Sequence, residues 1–248
     1  MLLSVRRESM ACVALQTSFH IDGMILRSGR FVPIAPIGFL KAISEDFHPK
    51  TRQMDMSRQS DFPVDPLFID RWSPRSFVPQ AISDKDLKTI LEAARFAPSA
   101  SNVQPWRFVY AHRDTPEFEK LASALIEFNA MWATNASALV FIFSQKTVTS
   151  ESGEEKPFYS HAFDAGAAWM SLALQAQMLG YHAHAMGGVL HDKAMEIFNV
   201  PSSFRLEVGV AIGTRGEKDA LPERLQVREA PSPRKPLSEI AGNGVFIA

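Results

Sequence analysis

The 248-residue chain has one cysteine, Cys12. A lone thiol excludes an intrachain disulfide and a cysteine-rich metal site, and it suits a reducing, cytoplasmic compartment. Charge of one sign is also scarce: 26 Lys and Arg face 27 Asp and Glu, for a formal net charge of −1. That balance offers no electrostatic case for nucleic acid or an anionic membrane, so any basic residues that matter act locally. No apolar run reaches the roughly 18 residues of a membrane-spanning helix. Neither G-x-G-x-x-G nor G-x-x-x-x-G-K-[ST] occurs, so a bound phosphate falls to dispersed side chains. The spacing suggests no Ser-His-Asp or paired-carboxylate arrangement. His182 and His184 would share a face of a strand, but no Cys or carboxylate neighbour completes a metal site. What remains is ordinary: 46% hydrophobic and 21% charged residues describe a globular protein with a sizeable core.

Three short stretches stand out. The first runs from Pro98 to Trp106 and reads Pro-Ser-Ala-Ser-Asn-Val-Gln-Pro-Trp. Asn102 and Gln104 each offer a donor and an acceptor, Ser99 adds a hydroxyl, and the two prolines restrict the backbone. Such an array suits a planar heterocycle with alternating N–H and C=O edges; a polar turn capping its own backbone is the plainer alternative. The second, Arg71-Trp72-Ser73-Pro74-Arg75, puts Arg, Ser and Arg at alternate positions, on one side of an extended chain. Two guanidiniums flanking a hydroxyl make a grip for phosphate, although basic turns are often merely solvated. The third, Met186-Gly187-Gly188, falls where a strand should end. Paired glycines let a ligand approach the backbone, or simply make a tight turn.

The order of these motifs resembles the FMN-dependent nitroreductase family, from about Asp70 to about Ile240. The resemblance implies an α+β fold, a three-layer α/β/α arrangement around a mixed, mainly antiparallel sheet. It implies a homodimer with shared active sites around FMN, and NAD(P)H as electron donor to a small-molecule acceptor. Arg71, Ser73, Arg75 and Arg234 would hold phosphate and ribityl groups from one subunit, with Lys235 or Arg224 as other basic candidates. Pro98, Ser99, Ala100 and Asn102 would close over the flavin from the other, supported by Gln104. Met186, Gly187 and Gly188 would lie beside flavin N5, with Asn129 at the ring; Asn129 is alternatively a helix C-cap. A family pattern that often has Lys near position 132 meets Trp132 here. The chemistry would be flavin-borne and ping-pong, with a nitroaromatic or quinone as acceptor. Relatives acting as dehalogenases, enone or aldehyde reductases, or flavin-degrading enzymes remain open, as does a non-catalytic flavin sensor or store.

The elements follow from local signals. Ser83 with Asp86 opens a helix carried by Leu87, Ile90, Leu91 and Ala94 and stopped by Pro98. Trp106 to Ala111 reads as a strand, and Asp114-Thr115-Pro116 starts a helix expected to run to about Ala130, ending at Asn129. Ala138 to Phe143 is apolar throughout, the pattern of a strand covered on both faces. Pro157 to Leu179 is a long helix, apolar on nearly every side and rich in small residues, so it should be buried in the core or against a partner. Strand, short helix and strand follow at 181–185, 191–199 and 204–212, while 147–156 should form a lid. Residues 1–55 lack a clear period and are expected to be a disordered extension, over-long start or appended leader, with an extra interface arm as the remaining alternative; the family-like domain is expected at 56–248.

Overall fold

The computed structural model describes residues 58–248, together with the backbone of 20–21, 24–27 and 30–33. In the N-terminal unit, residues 1–53, strands β1 (His20–Ile21), β2 (Met24–Arg27) and β3 (Arg30–Pro33) pair antiparallel in that order. The expectation of a leader without regular structure otherwise lies outside the described residues.

The second unit, Met54–Ala248, carries the recognisable motifs. Its first helix, α1 (Pro66–Asp70), starts on Asp65, whose carboxylate accepts the Leu67 N–H, with Pro66 in the first turn. Helix α2 (Asp84–Arg95) starts on Ser83, which accepts from the Asp86 N–H at 2.9 Å. Strand β4 (Trp106–His112) follows, then α3 (Pro116–Ala122), capped by Thr115.

The single helix expected from 116 to 130 is two helices. Residues 123–126 break away, and α4 (Glu127–Ala133) begins afresh. The break pairs with distant chain: Ile126 N–H donates to Gly188 O and Leu190 N–H to Ala124 O, around a Leu125–Val189 bridge. These bonds satisfy backbone groups in a way that continuing the helix would forbid. Asn129 therefore lies inside α4 and caps nothing.

Strands β5 (Ala138–Gln145), β8 (His182–Met186) and β9 (Phe204–Gly213) join β4 in a sheet of order β4-β5-β9-β8. Every pairing among these strands is antiparallel. β5 is covered on both faces: Leu139, Phe141 and Phe143 enter one core cluster, and Val140 and Ile142 the other. The first cluster joins the sheet to α3, α4, α6 (His191–Ile197) and α7 (Glu223–Gln226); the second joins it to α2 and α5 (His161–Met178). The result is the expected α+β, three-layer arrangement.

Helix α5 starts at His161 instead of Pro157, because Glu155–Pro157 forms strand β7 of a hairpin with β6 (Thr147–Thr149). That hairpin occupies the segment expected as a lid. α5 buries Ala165, Ala168, Leu172, Ala173 and Ala176, while Phe163 is 82% exposed. Phe163, near the start of the helix, is thus left uncovered by the described residues. No helix among the described residues is long and apolar enough to cross a membrane.

Candidate functional site

Arg71, Ser73 and Arg75 leave the end of α1 in extended chain, as their alternate spacing predicts, and line one small cavity of about 200 Å³. Arg234 reaches the same cavity from the C-terminal segment, and so do Arg58, Arg228 and His184. The Nε atoms of Arg71 and Arg75 are buried without a hydrogen-bond partner. Burial, followed by the Arg234 charge, lowers the Arg71 pKa. Burial and then Arg228 lower that of Arg75, against an opposing pull from Glu229. Buried donors and mutually repelling cations are satisfied together by an anion placed among them.

Several residues keep this grip in shape. Arg58 donates from Nη1 to the carbonyls of Ile69 (3.2 Å) and Arg71 (2.7 Å), and from Nε to Ser232 O (2.9 Å). It therefore ties the front of the arginine loop to the C-terminal segment. Glu229 is a buried carboxylate that accepts the N–H groups of Arg75 and Ser76 at 3.0 Å. Arg234 donates from Nη1 to Ser232 O and Pro233 O, which bends the side chain back over its own turn. Of the other basic candidates, Lys235 lines a neighbouring groove with Phe62, Phe68 and Leu237, and Arg224 contacts Met131 Sδ. Neither belongs to the cavity.

The 98–104 loop does not line the cavity in the same chain. Pro98, Ala100, Asn102 and Gln104 are exposed and Ser99 is partly so. The loop is nonetheless held firmly. Asp164 of α5 accepts the Ala100 N–H at 3.1 Å, and Ser99 Oγ accepts the Gln104 N–H at 3.0 Å. Ser101, Asn102 and Gln104 adopt φ of 50°, 55° and 53°, a left-handed conformation that costs energy for residues with a Cβ. Gln104 Nε2 also donates to Asn102 O at 3.2 Å, so Ser99 and Gln104 cap the loop's own backbone, as the plainer polar-turn alternative expects, while Asn102 stays exposed.

Met186, 3% exposed, belongs to the core, where it closes β8 opposite Gly209. Asn129 Nδ2 donates to Gly188 O at 2.9 Å, so two of the residues expected near one ring meet here. A Cβ on Gly188 would fall 2.5 Å from that nitrogen and 2.6 Å from Ile126 Cδ1; one on Gly187 would meet nothing within 4 Å. Gly188 thus lets the Asn129 and Ile126 side chains pack closely, and Gly187 has open space where a Cβ would stand.

Trp132, 1% exposed, is a core residue stacked near Phe77 and against His184, with ring centroids 4.6 Å apart in the second pair. It lays an aromatic wall against the histidine. His184 Nδ1 sits 2.8 Å from Pro74 O, and burial is the main cause that pulls its pKa down to about 4. His182, likewise held at about 4 by burial and Arg215, has an unpartnered buried Nδ1. Among the described residues, no group of His, Cys, Asp and Glu is placed to hold a metal ion.

Folding also assembles a cluster that sequence spacing did not suggest. Ser144 Oγ lies 2.7 Å from His161 Nδ1 and donates to Glu207. Ser144 is fully buried and gives its proton to the carboxylate, so it serves as a structural bridge and presents no nucleophile.

Arg58, Arg228, Glu229 and His184 are the site residues that sequence reasoning missed. Arg228 and Glu229 do adjoin the basic tail, but nothing local distinguishes them from a solvated pair.

Comparisons with known proteins identify the family and the fold. The chain matches the family model described as "Nitroreductase family" over residues 69–130 and 115–214. It is 28% identical over 187 residues to the CLA biosynthesis enone reductase of Lactiplantibacillus plantarum, covering 61% of this chain and 85% of that one. It is 30% identical over 158 residues to an Archaeoglobus fulgidus protein provisionally named an NADH dehydrogenase/NAD(P)H nitroreductase, covering 62% of this chain and 86% of the relative. The crystal structure of an oxidoreductase containing FMN superposes with a TM-score of 0.76 at 52% identity, over 78% of this chain and 98% of that one. The match spans the arginine loop, the 98–104 loop and the whole central sheet, and the chain belongs to the nitroreductase family.

Proposed function

We propose that the chain is an FMN-dependent oxidoreductase that takes electrons from NAD(P)H and passes them to a small electrophile such as a nitroaromatic or quinone. The observation that carries the reading is the arginine cavity, whose buried, unpartnered Nε donors fit a phosphate. Arg71, Ser73, Arg75 and Arg234 would hold the phosphate and ribityl end of FMN. The similar FMN-containing oxidoreductase supports the choice of flavin. When bound, the isoalloxazine ring supplies the two-electron chemistry. The protein would supply orientation: the open space at Gly187, the Asn129–Gly188 brace, and the exposed Asn102 on a loop shaped by Ser99 and Gln104.

A site shared by two copies explains why the 98–104 loop and the cavity do not meet within one chain. The exposed Phe163 on α5 supports such a homodimer, in which each loop would reach the partner's flavin. One ring face serving donor and acceptor in turn gives ping-pong kinetics. A second acceptor class, an activated alkene, is favoured by the likeness to an enone reductase. The N-terminal unit lies outside this reading, and residues 56–248 are proposed as the complete flavin domain.

The test is direct. Purified protein should be yellow and release FMN on denaturation. Anaerobic NADH or NADPH should bleach it, and nitroaromatics, quinones and enones should then restore the colour at different rates. FAD in place of FMN, or no flavin after reconstitution, overturns the proposal. Full FMN occupancy with negligible reduction by either nucleotide would point to a sensor or store.

A further inference from the structure

His184 meets the arginine cavity with its two ring nitrogens in different situations. Nδ1 lies 2.8 Å from the Pro74 carbonyl oxygen. A carbonyl only accepts, so Nδ1 carries a proton and donates. Trp132 packs against the ring at 4.6 Å between centroids. Nε2 has no hydrogen-bond partner among the described residues, and it is the nitrogen left for the cavity that His184 lines.

Several cations share the cavity with the ring. The arginine loop contributes Arg71 and Arg75, Arg58 precedes it, and the C-terminal segment contributes Arg228 and Arg234. Helix α4 contributes the Trp132 ring, and His182 lies two residues away on the same strand. The nearest carboxylate of the grip, Glu229, is occupied by the Arg75 and Ser76 N–H groups. Burial, with the charges of Arg75 and Arg71 adding to it, keeps the ring neutral, the Pro74 bond opposing them. A neutral Nε2 presents a lone pair, which repels a phosphate oxygen. A phosphate dianion changes both conditions: it offsets the arginine charges and offers an acceptor for an Nε2–H.

We propose that His184 is a ligand of the cofactor phosphate, donating from Nε2, and that FMN binding takes up one proton onto this ring. The proposal rests on the FMN reading above. One linked proton makes affinity rise as pH falls, by up to tenfold per pH unit, between the free-state and bound-state pKa values of the ring. The phosphate has its own second pKa near about 6. Measurements at pH 7 and above keep that titration apart from the ring's.

The test is calorimetry of FMN binding to the full-length apoprotein at pH 7.0 and 8.0, in buffers of different ionisation enthalpy. The wild type should take up a proton, up to one per FMN, and bind more tightly at pH 7.0. His184→Gln should take up none, show no such pH dependence, and bind roughly tenfold more weakly at pH 7.0. Ring ¹⁵N shifts of the wild type should show both His184 nitrogens protonated with FMN bound. No proton uptake by the wild type, equal uptake by His184→Gln, or a neutral ring in the FMN complex overturns the proposal. The ring spectrum decides it even if the variant does not fold. Failure of FMN to bind the wild type at all overturns the cofactor reading, and this inference with it.

Discussion

Both carboxylate oxygens of Glu229 lie 3.0 Å from the backbone nitrogen of Arg75, across a separation of 154 residues. The acid beside the arginine cavity thus holds the loop's backbone, and the Arg75 guanidinium is not paired with it. Had the carboxylate taken the guanidinium instead, the charge intended for an anion would have been neutralised internally. As arranged, the loop is fixed by its N–H groups while Arg75 Nε stays unpartnered.

Replacing Glu229 by Ala should therefore harm stability and flavin binding together. It leaves the Arg75 and Ser76 N–H groups buried without an acceptor, at a cost of about 1–3 kcal/mol. For a chain of this size each kcal/mol lowers Tm by roughly 2–4 °C. Glu229→Gln keeps one oxygen acceptor and should recover part of the loss. Thermal melts and FMN titrations of both variants check this; wild-type FMN affinity in Glu229→Ala would refute the positioning role.

Arg75→Ala should act on FMN affinity far more than on stability. A charge-assisted contact to phosphate contributes about 1.5–3 kcal/mol, or roughly ten- to hundred-fold in Kd. Fluorescence quenching of FMN measures it, and an unchanged Kd would mean that the grip is misassigned.

The two adjacent glycines should respond differently. Gly188→Ala drives a Cβ to 2.5 Å from Asn129 Nδ2 and 2.6 Å from Ile126 Cδ1. Overpacking of this kind costs about 1–3 kcal/mol. Gly187→Ala meets nothing within 4 Å and should leave the melting temperature nearly unchanged. Equal destabilisation by the two would contradict the packing described for α4 and β8.

Shared sites predict complementation. Arg75→Ala and Asn102→Ala chains, mixed under subunit exchange, should form heterodimers with one doubly damaged and one intact site. FMN binding and activity should partly recover. If each chain builds its own site, no recovery appears, and a monomer that holds FMN tightly by light scattering excludes the shared-site proposal.

A chain shortened to begin at Met56 should bind FMN and turn over like the full-length protein. An insoluble or flavin-free product would show that the first 55 residues support the domain.

Much of this was readable locally. Ser83 and Asp86 announce α2 because the cap and its acceptor lie three residues apart, and the unbroken apolar run of β5 announces a strand covered on both faces. Arg71, Ser73 and Arg75 share a cavity because extended chain repeats every two residues. Arg234 joins them on the strength of family order, which no local pattern supplies. The failures are equally specific. The α3–α4 break was hidden because its cause is pairing with residues 188–190, some sixty positions away. Glu229 and Arg58 look like ordinary surface charges in sequence, and His184 looks like one of two strand histidines with no partner to complete a metal site.

The sequence by itself determined the residue types, the helix starts, the two-faced central strand and the donors fit for phosphate. All of these depend on torsions and periodicities within a few residues. Only the tertiary structure decided that residues 58–75, His184 and 228–234 converge, that Glu229 serves backbone N–H groups, and that Trp132 walls the histidine. Those outcomes depend on which buried polar groups find partners when distant segments pack. A buried charge, carboxylate or ring takes its role from whatever low-dielectric neighbours the fold brings to it.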